Sequence, residues 1–452
     1  MMKCITSAFI FLFVIQTGIP QTYKLKYEDE QFLDTLQYRT YLYFINEINP
    51  QNNLVKDRSA DWSPASIAAT GFGVAVWVVG VDRGWMTRDE AINRILNLLN
   101  FLISSDQRGD TNSTGYHGLY YHFLDLKTGK RVWQSELSTI DTGLLLAGLR
   151  LAFQYFNKNN TNEIAIRTSI DSLTKRINWD WLTEKNGVEE KYNGSISMGW
   201  TPEEGIHRWG WVGYNEALIL YILAAGSGYK DAVPAYNVWL KNYKWAEPYP
   251  GLAHAVYPPL FVHQYSQAFV DFRGIQDKYM LEKGIDYFEN SRRAVLTQRK
   301  YAIDNPNGWK GYDSLTWGLT ACDGPGEKYN YDNKRFHSYA GRGTSGPGLS
   351  HDDDGTIAPT AVGGSFPFTP EIVLQALKSM YNEYGKRGLW GKYGFKDSFN
   401  PTLNWFAPDF LGIDEGPIVI MTENFRSGLI WNYMMKDPVI QKGLQILGFV
   451  RK

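Results

Sequence analysis

Cysteine is nearly absent from this chain: Cys4 and Cys322 are the two among 452 residues. Cys4 falls in a segment expected to be removed, which excludes an intramolecular disulfide in the mature chain, and no cluster of Cys and His has metal-site spacing. An excess of charge is also missing, with 46 basic against 47 acidic residues and a net charge of -1. Without a basic block or a basic helix face, nucleic acid is not an expected partner, and a neutral one is. Beyond the N-terminus no apolar run approaches the ~20 residues that cross a bilayer, so no stable membrane insertion is expected. The motifs G-x-x-x-x-G-K-[ST], H-E-x-x-H and G-x-S-x-G are all lacking. "GRGTSGPG" (341–348) has no phosphate-loop Lys, and "HDDDG" (351–355) departs from the spacing of a calcium loop, so neither metal nor cofactor is expected.

What the chain does have is aromatic residues, 15% of the total, with 16 Trp and 29 Tyr. Buried Trp and Tyr need polar partners, and the apolar faces of sugars are one use for exposed ones. The N-terminus carries Lys3 and then an apolar run from Ile5 to Ile15, followed by Gly18 and Pro20. This reads as an export signal over residues 1–21, placing the mature protein in the periplasm or outside the cell. Residues 22–452 read as a single domain, expected to be monomeric.

Helical periodicity predicts helices over 28–48, 64–83, 87–105, 137–157, 162–177, 214–227, 231–243, 264–273, 277–300, 370–385, 417–434 and 437–447, with a short one at 356–364. Start signals such as Ser63-Pro64 and Thr87-Arg-Asp-Glu90, and stops such as Gly84 and Gly226, agree with these bounds. The helices alternate in character. Those at 64–83, 137–157, 214–227 and 417–434 are apolar nearly all round and should be buried, whereas 87–105, 162–177, 231–243 and 277–300 carry charge on one face and should lie outside. An inner ring wrapped by an outer ring, that is, an all-α barrel of six helical hairpins, would produce this alternation. The long segments 106–136, 178–213, 244–263, 301–356 and 386–416 would then form a functional rim.

If the inner helices share a direction, the residues just before them become neighbours. Those places are "SADWSPAS" (59–66), "WQSELSTID" (133–141), "GWVGYNEA" (210–217), "YPPLFVHQYSQ" (257–267), "SHDDDGTIAPTA" (350–361) and "LGIDEGPIVIMTENFRSG" (411–428). All but one contain a carboxylate. Acids cap helix N-termini, but capping alone does not account for Glu136 with Asp141, Glu216, Asp352–Asp354 and Asp414-Glu415 with Glu423 together. Glu216 and Glu423 stand on apolar helices, where an unpaired carboxylate is costly. Several carboxylates in an aromatic-lined cup suit glycosidic bond hydrolysis, which needs a proton donor and a second carboxylate. A glycan-binding protein without activity, and an epimerase or lyase, remain open on these residues alone.

"ELSTIDTGLLLAG", "GWTPEEGIHRWGWVGYNEALILYILA", "DGTIAPTAVGGSFPFTPE" and "IDEGPIVIMTENFRSGLIW" together resemble the glucoamylase-like domain of secreted bacterial proteins, the group containing the β-1,2-glucanases of glycoside hydrolase family 144. The resemblance implies an (α/α)6 barrel, an inverting hydrolase and a β-1,2-glucan or its oligosaccharides as substrate, with another glucan as the alternative. On this footing Glu216, after Trp211 and Tyr214, is the expected acid, and Asp414 the expected base with Glu415 close behind. Glu136 and Asp141 are expected as hydroxyl binders or alternative catalytic groups. Glu204, His207, Arg208, His263, Asp354, Glu423 and Arg426 are expected to bind substrate, and Trp200, Trp209, Trp211, Tyr214 and Trp405 to bind or stack on it.

Overall fold

The computed structural model describes residues 23–183, 189–346, 348–349 and 351–451. The expected export segment lies outside the described residues. Helices dominate. In chain order they are α1 (Tyr27–Asn46), α2 (Ile67–Asp82), α3 (Arg88–Ser104), α4 (Thr139–Tyr155), α5 (Thr161–Arg176), α6 (Leu218–Gly226), α7 (Ala232–Lys241), α8 (Phe261–Phe269), α9 (Lys278–Lys283), α10 (Tyr287–Asp304), α11 (Pro359–Gly363), α12 (Pro370–Tyr384), α13 (Gly412–Arg426), α14 (Leu429–Met434) and α15 (Pro438–Ile446).

The apolar helices are the buried ones. Every residue of α2 from Ile67 to Gly80 is buried, as is all of α6. α2 packs on α4 and α13, α4 on α6, α6 on α8, and α8 on α13. α11 adjoins α13, and Gln264 of α8 donates to the Ala361 carbonyl of α11 at 2.8 Å. Outside them, α1 lies against α13 and α2, α3 against α5 and α2, α7 against α6, α10 against α8 and α12 against α11. The outer α3 shows why such a helix forms: Thr87 and Glu90 exchange both hydrogen bonds of a capping box, and Ile92, Ile95 and Leu99 line its buried side.

Several expected bounds are corrected. The helix predicted over 277–300 is two, because Gly284 takes a left-handed φ of 72° after α9 and Asp286 caps α10 afresh. The one predicted over 417–434 is also two. It begins a turn before Pro417, with the Glu415 amide donating to the Leu411 carbonyl, and it ends where Gly428 adopts φ 69°. α6 starts at Leu218, after Asn215 Oδ1 has accepted the Ala217 amide in a local turn. α8 starts at Phe261, just past Pro258-Pro259, and ends at Phe269.

The long connections are not free of strands. Gly115–Tyr116, Leu119–Tyr121, Leu137–Ser138, Gly199–Thr201 and Gly205–Ile206 form one antiparallel five-stranded sheet. Strands of two or three residues leave too little alternation to read as a period of two. This sheet delivers the chain to the start of α4.

The tightest crossing joins α2 to α4. A Cβ on Gly148 would stand 2.0 Å from the Gly71 carbonyl oxygen, and one on Gly71 would stand 2.4 Å from that of Leu144. Both obstacles are backbone, so no rotamer change relieves them. Gly148→Val should lower the free energy of unfolding by at least about 2 kcal/mol, at the upper part of the range for overpacked cores. Urea denaturation followed by circular dichroism measures it, and an unchanged midpoint would contradict the crossing.

Candidate active site

The N-terminal ends of the buried helices meet around one cavity of about 590 Å³. Ser66, which caps α2, and Ser138, which caps α4, both line it. So do Glu216 just before α6, Phe261 opening α8, and Leu411 and Ile413 at the start of α13. Helix N-termini carry partial positive charge, so this end of the molecule favours anions.

Glu136 and Asp141 share the cavity with Glu216, and His122 joins the first two. His122 Nδ1 is 2.9 Å from Glu136 Oε1, and its Nε2 is 3.7 Å from Asp141 Oδ2. Burial works against charge on His122, but Asp141, Glu136 and Asp57 outweigh it and raise its pKa to about 9. Burial also pushes Glu136 upward, yet the His122 hydrogen bond and charge win and hold it below the ordinary glutamate value. Asp141 comes out raised by burial, against the opposing pull of His122 and the hydrogen bond donated by Ser138. Among the described residues no cation offsets the burial of Glu216 in this way. Burial, with a smaller contribution from Asp141, raises it to about 7. One cavity thus holds a carboxyl that titrates near neutral pH and another held below the ordinary glutamate value.

A second acid group lies behind the wall. Asp414, buried near the start of α13, hydrogen bonds with Asp397 and is not among the lining residues. Burial and Asp323 raise Asp397 to about 7, and burial and Asp397 raise Asp414 well above the ordinary range. The two therefore hold a proton between them, as close carboxyls do. Arg58, 2.9 Å from Asp323 and 3.2 Å from Asp57, ties this group to the cavity, which Arg58, Asp57 and Tyr339 line.

The aromatic expectations divide. Trp211 lines the cavity with its Nε1 donating to Thr139 Oγ1 at 2.8 Å, and His207 and Trp209 line it as well. Trp200 packs against Tyr116 and Trp181 instead. Tyr214 is buried among Tyr243, Tyr287 and His263, on a neighbouring cavity. His263 is buried, bonded to the Tyr257 carbonyl, and pushed by burial down to about 3. Trp405 sits in a strand pair with Phe399–Asn400. Glu204 is exposed in a hairpin turn, and Arg208 is exposed over the ring of Trp209 at 4.7 Å.

Three expected binders have structural partners elsewhere. Asp354 forms a buried pair with Arg342 at 2.7 Å. Glu423 pairs with Arg83 at 2.7 Å, and Arg426 with Glu30 and Asp34, all at the C-terminal end of α13. Since Glu423 is nine residues beyond Asp414, it stands about 13 Å along the helix from it. Glu415 is buried behind the cavity wall, raised by burial. Sequence reasoning missed His122, Asp57, Arg58, Phe123, Trp133 and Tyr339. The strand Leu119–Tyr121 sets His122 opposite Glu136 by pairing with Leu137–Ser138, a partnership too short to leave a pattern in the sequence.

His122, Glu136 and Asp141 offer one ligand atom each within 4.8 Å of one another, enough for a cation. Each imidazole nitrogen is already aimed at a carboxylate, so a proton suits His122 better than a metal.

An aromatic-walled cavity whose carboxyls are pushed in opposite directions has the groups that can give and take a proton at one place. The family profile Glycoamylase, described as "Putative glucoamylase", matches residues 208–438. An exo β-1,2-glucooligosaccharide sophorohydrolase (non-reducing end) of Parabacteroides distasonis is 32% identical over 95% of this chain, which spans 59% of that relative's length. The structure of an endo-β-1,2-glucanase from Chitinophaga pinensis, solved with sophorotriose and glucose, superposes with a TM-score of 0.78 at 30% identity, covering 93% of this chain and 98% of that one. A β-1,2-glucanase structure from Parabacteroides distasonis gives a TM-score of 0.78 at 31% identity, over 94% of this chain and 60% of that one. The chain belongs to this glucoamylase family, within its relatives that include β-1,2-glucanases and a sophorohydrolase.

The His122 arrangement predicts that its imidazole stays protonated until about pH 9. Because this pKa is raised above the unfolded value, the stabilisation from the ion pairs is complete below about pH 6.5 and is lost as pH rises through about 9. Titration of the imidazole by NMR checks it, and a midpoint at or below 6.5 would show that the carboxylates do not hold it.

Proposed function

We propose that this protein is an exported hydrolase of β-1,2-linked glucose chains, built as an (α/α)6 barrel of six helical hairpins and working by an inverting acid–base mechanism. The observation that carries the reading is Glu216, whose carboxyl is raised to about 7 beside a carboxylate pair held by His122. The cyclic contacts of α2, α4, α6, α8 and α13 support the barrel, with α11 joining α8 to α13. The apolar N-terminal run supports export.

In this mechanism Glu216 gives its proton to the departing glycosidic oxygen. A water on the opposite face of the ring attacks the anomeric carbon and passes its proton to a carboxylate. Glu136 of the group around His122 is the candidate for that second role, a reading supported by its place on the cavity lining and by a pKa held below the ordinary glutamate value. Asp414, expected from the sequence as base, would act only through a proton carrier, since it lies behind the lining with Asp397. Trp209 and Trp211 offer apolar faces to the sugar.

Incubation with linear β-1,2-, β-1,3- and α-1,4-glucans, followed by product sizing, should show cleavage of the β-1,2 chain; cleavage of none of them would end the reading. Glu216→Gln should lower turnover at least ~10²-fold with the fold intact. Glu136→Gln should cost a similar factor, and a greater loss in Asp414→Asn would move the base role there. Activity should fall as pH rises through about 7, where Glu216 loses its proton. Exhaustive dialysis against EDTA should leave the rate unchanged; loss restored by a divalent cation would assign the His122, Glu136 and Asp141 group to a metal.

A further inference from the structure

Beside the cavity mouth the backbone does something unfavourable. Trp133 and Gln134 are consecutive, neither is glycine, and both adopt left-handed φ angles, 56° and 52°. A bulky residue in that region is a true outlier, and such strain persists only where the surroundings over-determine it. Arg131 is what holds it. Its side chain, 8% exposed, donates from Nε to the Ser135 carbonyl at 2.6 Å and from Nη2 to the Gln134 carbonyl at 2.7 Å. Its Nη1 is fixed in turn by Glu203 at 2.7 Å.

The result of this turn is an exposed tryptophan. Trp133 is 58% exposed while lining the cavity, so it does not serve the core. Beside it Trp62 is 66% exposed, its ring centroid 6.1 Å away and tilted by 53°, with the Arg58 guanidinium over its ring at 5.7 Å. Two large exposed indoles in contact make an apolar patch of the kind that marks a binding surface. The pair is continuous with the carboxylates: Trp133 meets Phe123 at 5.1 Å, and Phe123 stacks on His122 at 3.9 Å.

We propose that Trp62 and Trp133 form a pyranose-stacking subsite at the mouth of the carboxylate cavity, which takes a sugar ring one or more positions along the chain from the bond being cleaved. This rests on the glucan reading above. A β-linked glucose ring has equatorial hydroxyls and axial C–H bonds, so its two faces are apolar and match an indole. The strained turn sets the backbone under Trp133 in place before the ligand arrives, which reduces the ordering left for the binding step. Phe123 intervenes between Trp133 and His122, which places the platform beyond the ring that meets the carboxylates.

Calorimetric titration of β-1,2-linked oligosaccharides, from disaccharide to hexasaccharide, into the inactive Glu216→Gln protein tests it. Trp133→Ala and Trp62→Ala in that background should weaken binding of the longest chain roughly tenfold and of the disaccharide little, and Trp133→Phe should restore most of the loss. In the otherwise unmodified enzyme, Trp133→Ala should raise KM on long chains with kcat nearly unchanged. Equal affinities at every length would overturn the platform, as would a uniform loss at every length, which would mark general damage to the cavity. If the unmodified enzyme hydrolyses the glucan while the variants bind normally, the platform alone falls. If the inactive protein binds no oligosaccharide, both the platform and the functional reading fall.

Discussion

The close approach of α2 and α4 is the constraint on which the site depends. Gly71 and Gly148 let two largely buried helices touch backbone to backbone, and nothing larger fits between them. Because the helices then start side by side, their capping residues Ser66 and Ser138 arrive on the same cavity. Asp141 follows in the first turn of α4, already bonded to its own cap. The position of a cavity carboxyl is thus set by core packing two turns further along nearly the same face of its helix, where dispersion contacts are many and motion is small.

Bringing carboxyls together in this way has an electrostatic cost, and the molecule meets it by three different means. His122 supplies a cation to Glu136 and Asp141, and the converging helix N-termini supply partial positive charge. Asp397 and Asp414 instead share a proton, so that the buried pair carries less charge. Glu216 receives none of the three compensations in full, and its raised pKa is the consequence. The difference between Glu136 and Glu216 is a difference of neighbours: both are glutamates in one cavity, and one imidazolium separates their protonation states.

Much of the architecture could be read along the chain. Continuous apolar stretches such as Ile67–Gly80 mark buried helices because a helix without a polar face cannot face water. The breaks were less legible. Gly284 and Gly428 end helices through a positive φ, and a glycine in a helical pattern carries no sign of whether its φ will be positive. Glu136, Asp141, Glu216, His207, Trp209 and Trp211 do reach the cavity. Glu423 and Arg426 do not, since a carboxylate on an apolar helix reads the same whether it meets a substrate or an arginine such as Arg83.

The sequence by itself determined which helices are buried, that acids cluster at their beginnings, and that no motif for phosphate, nucleophilic serine or zinc-protease chemistry is present. These are local matters of periodicity, capping and spacing, and each is settled within a turn or two of chain. Only the tertiary structure decided that His122 belongs with Glu136 and Asp141, that Asp414 turns to Asp397, and that Arg131 presents Trp133 to the cavity mouth. A pKa or a cavity wall is made by groups that meet in space, and the strand pairing and helix crossings that bring them together join segments whose separation along the chain carries no record of the contact.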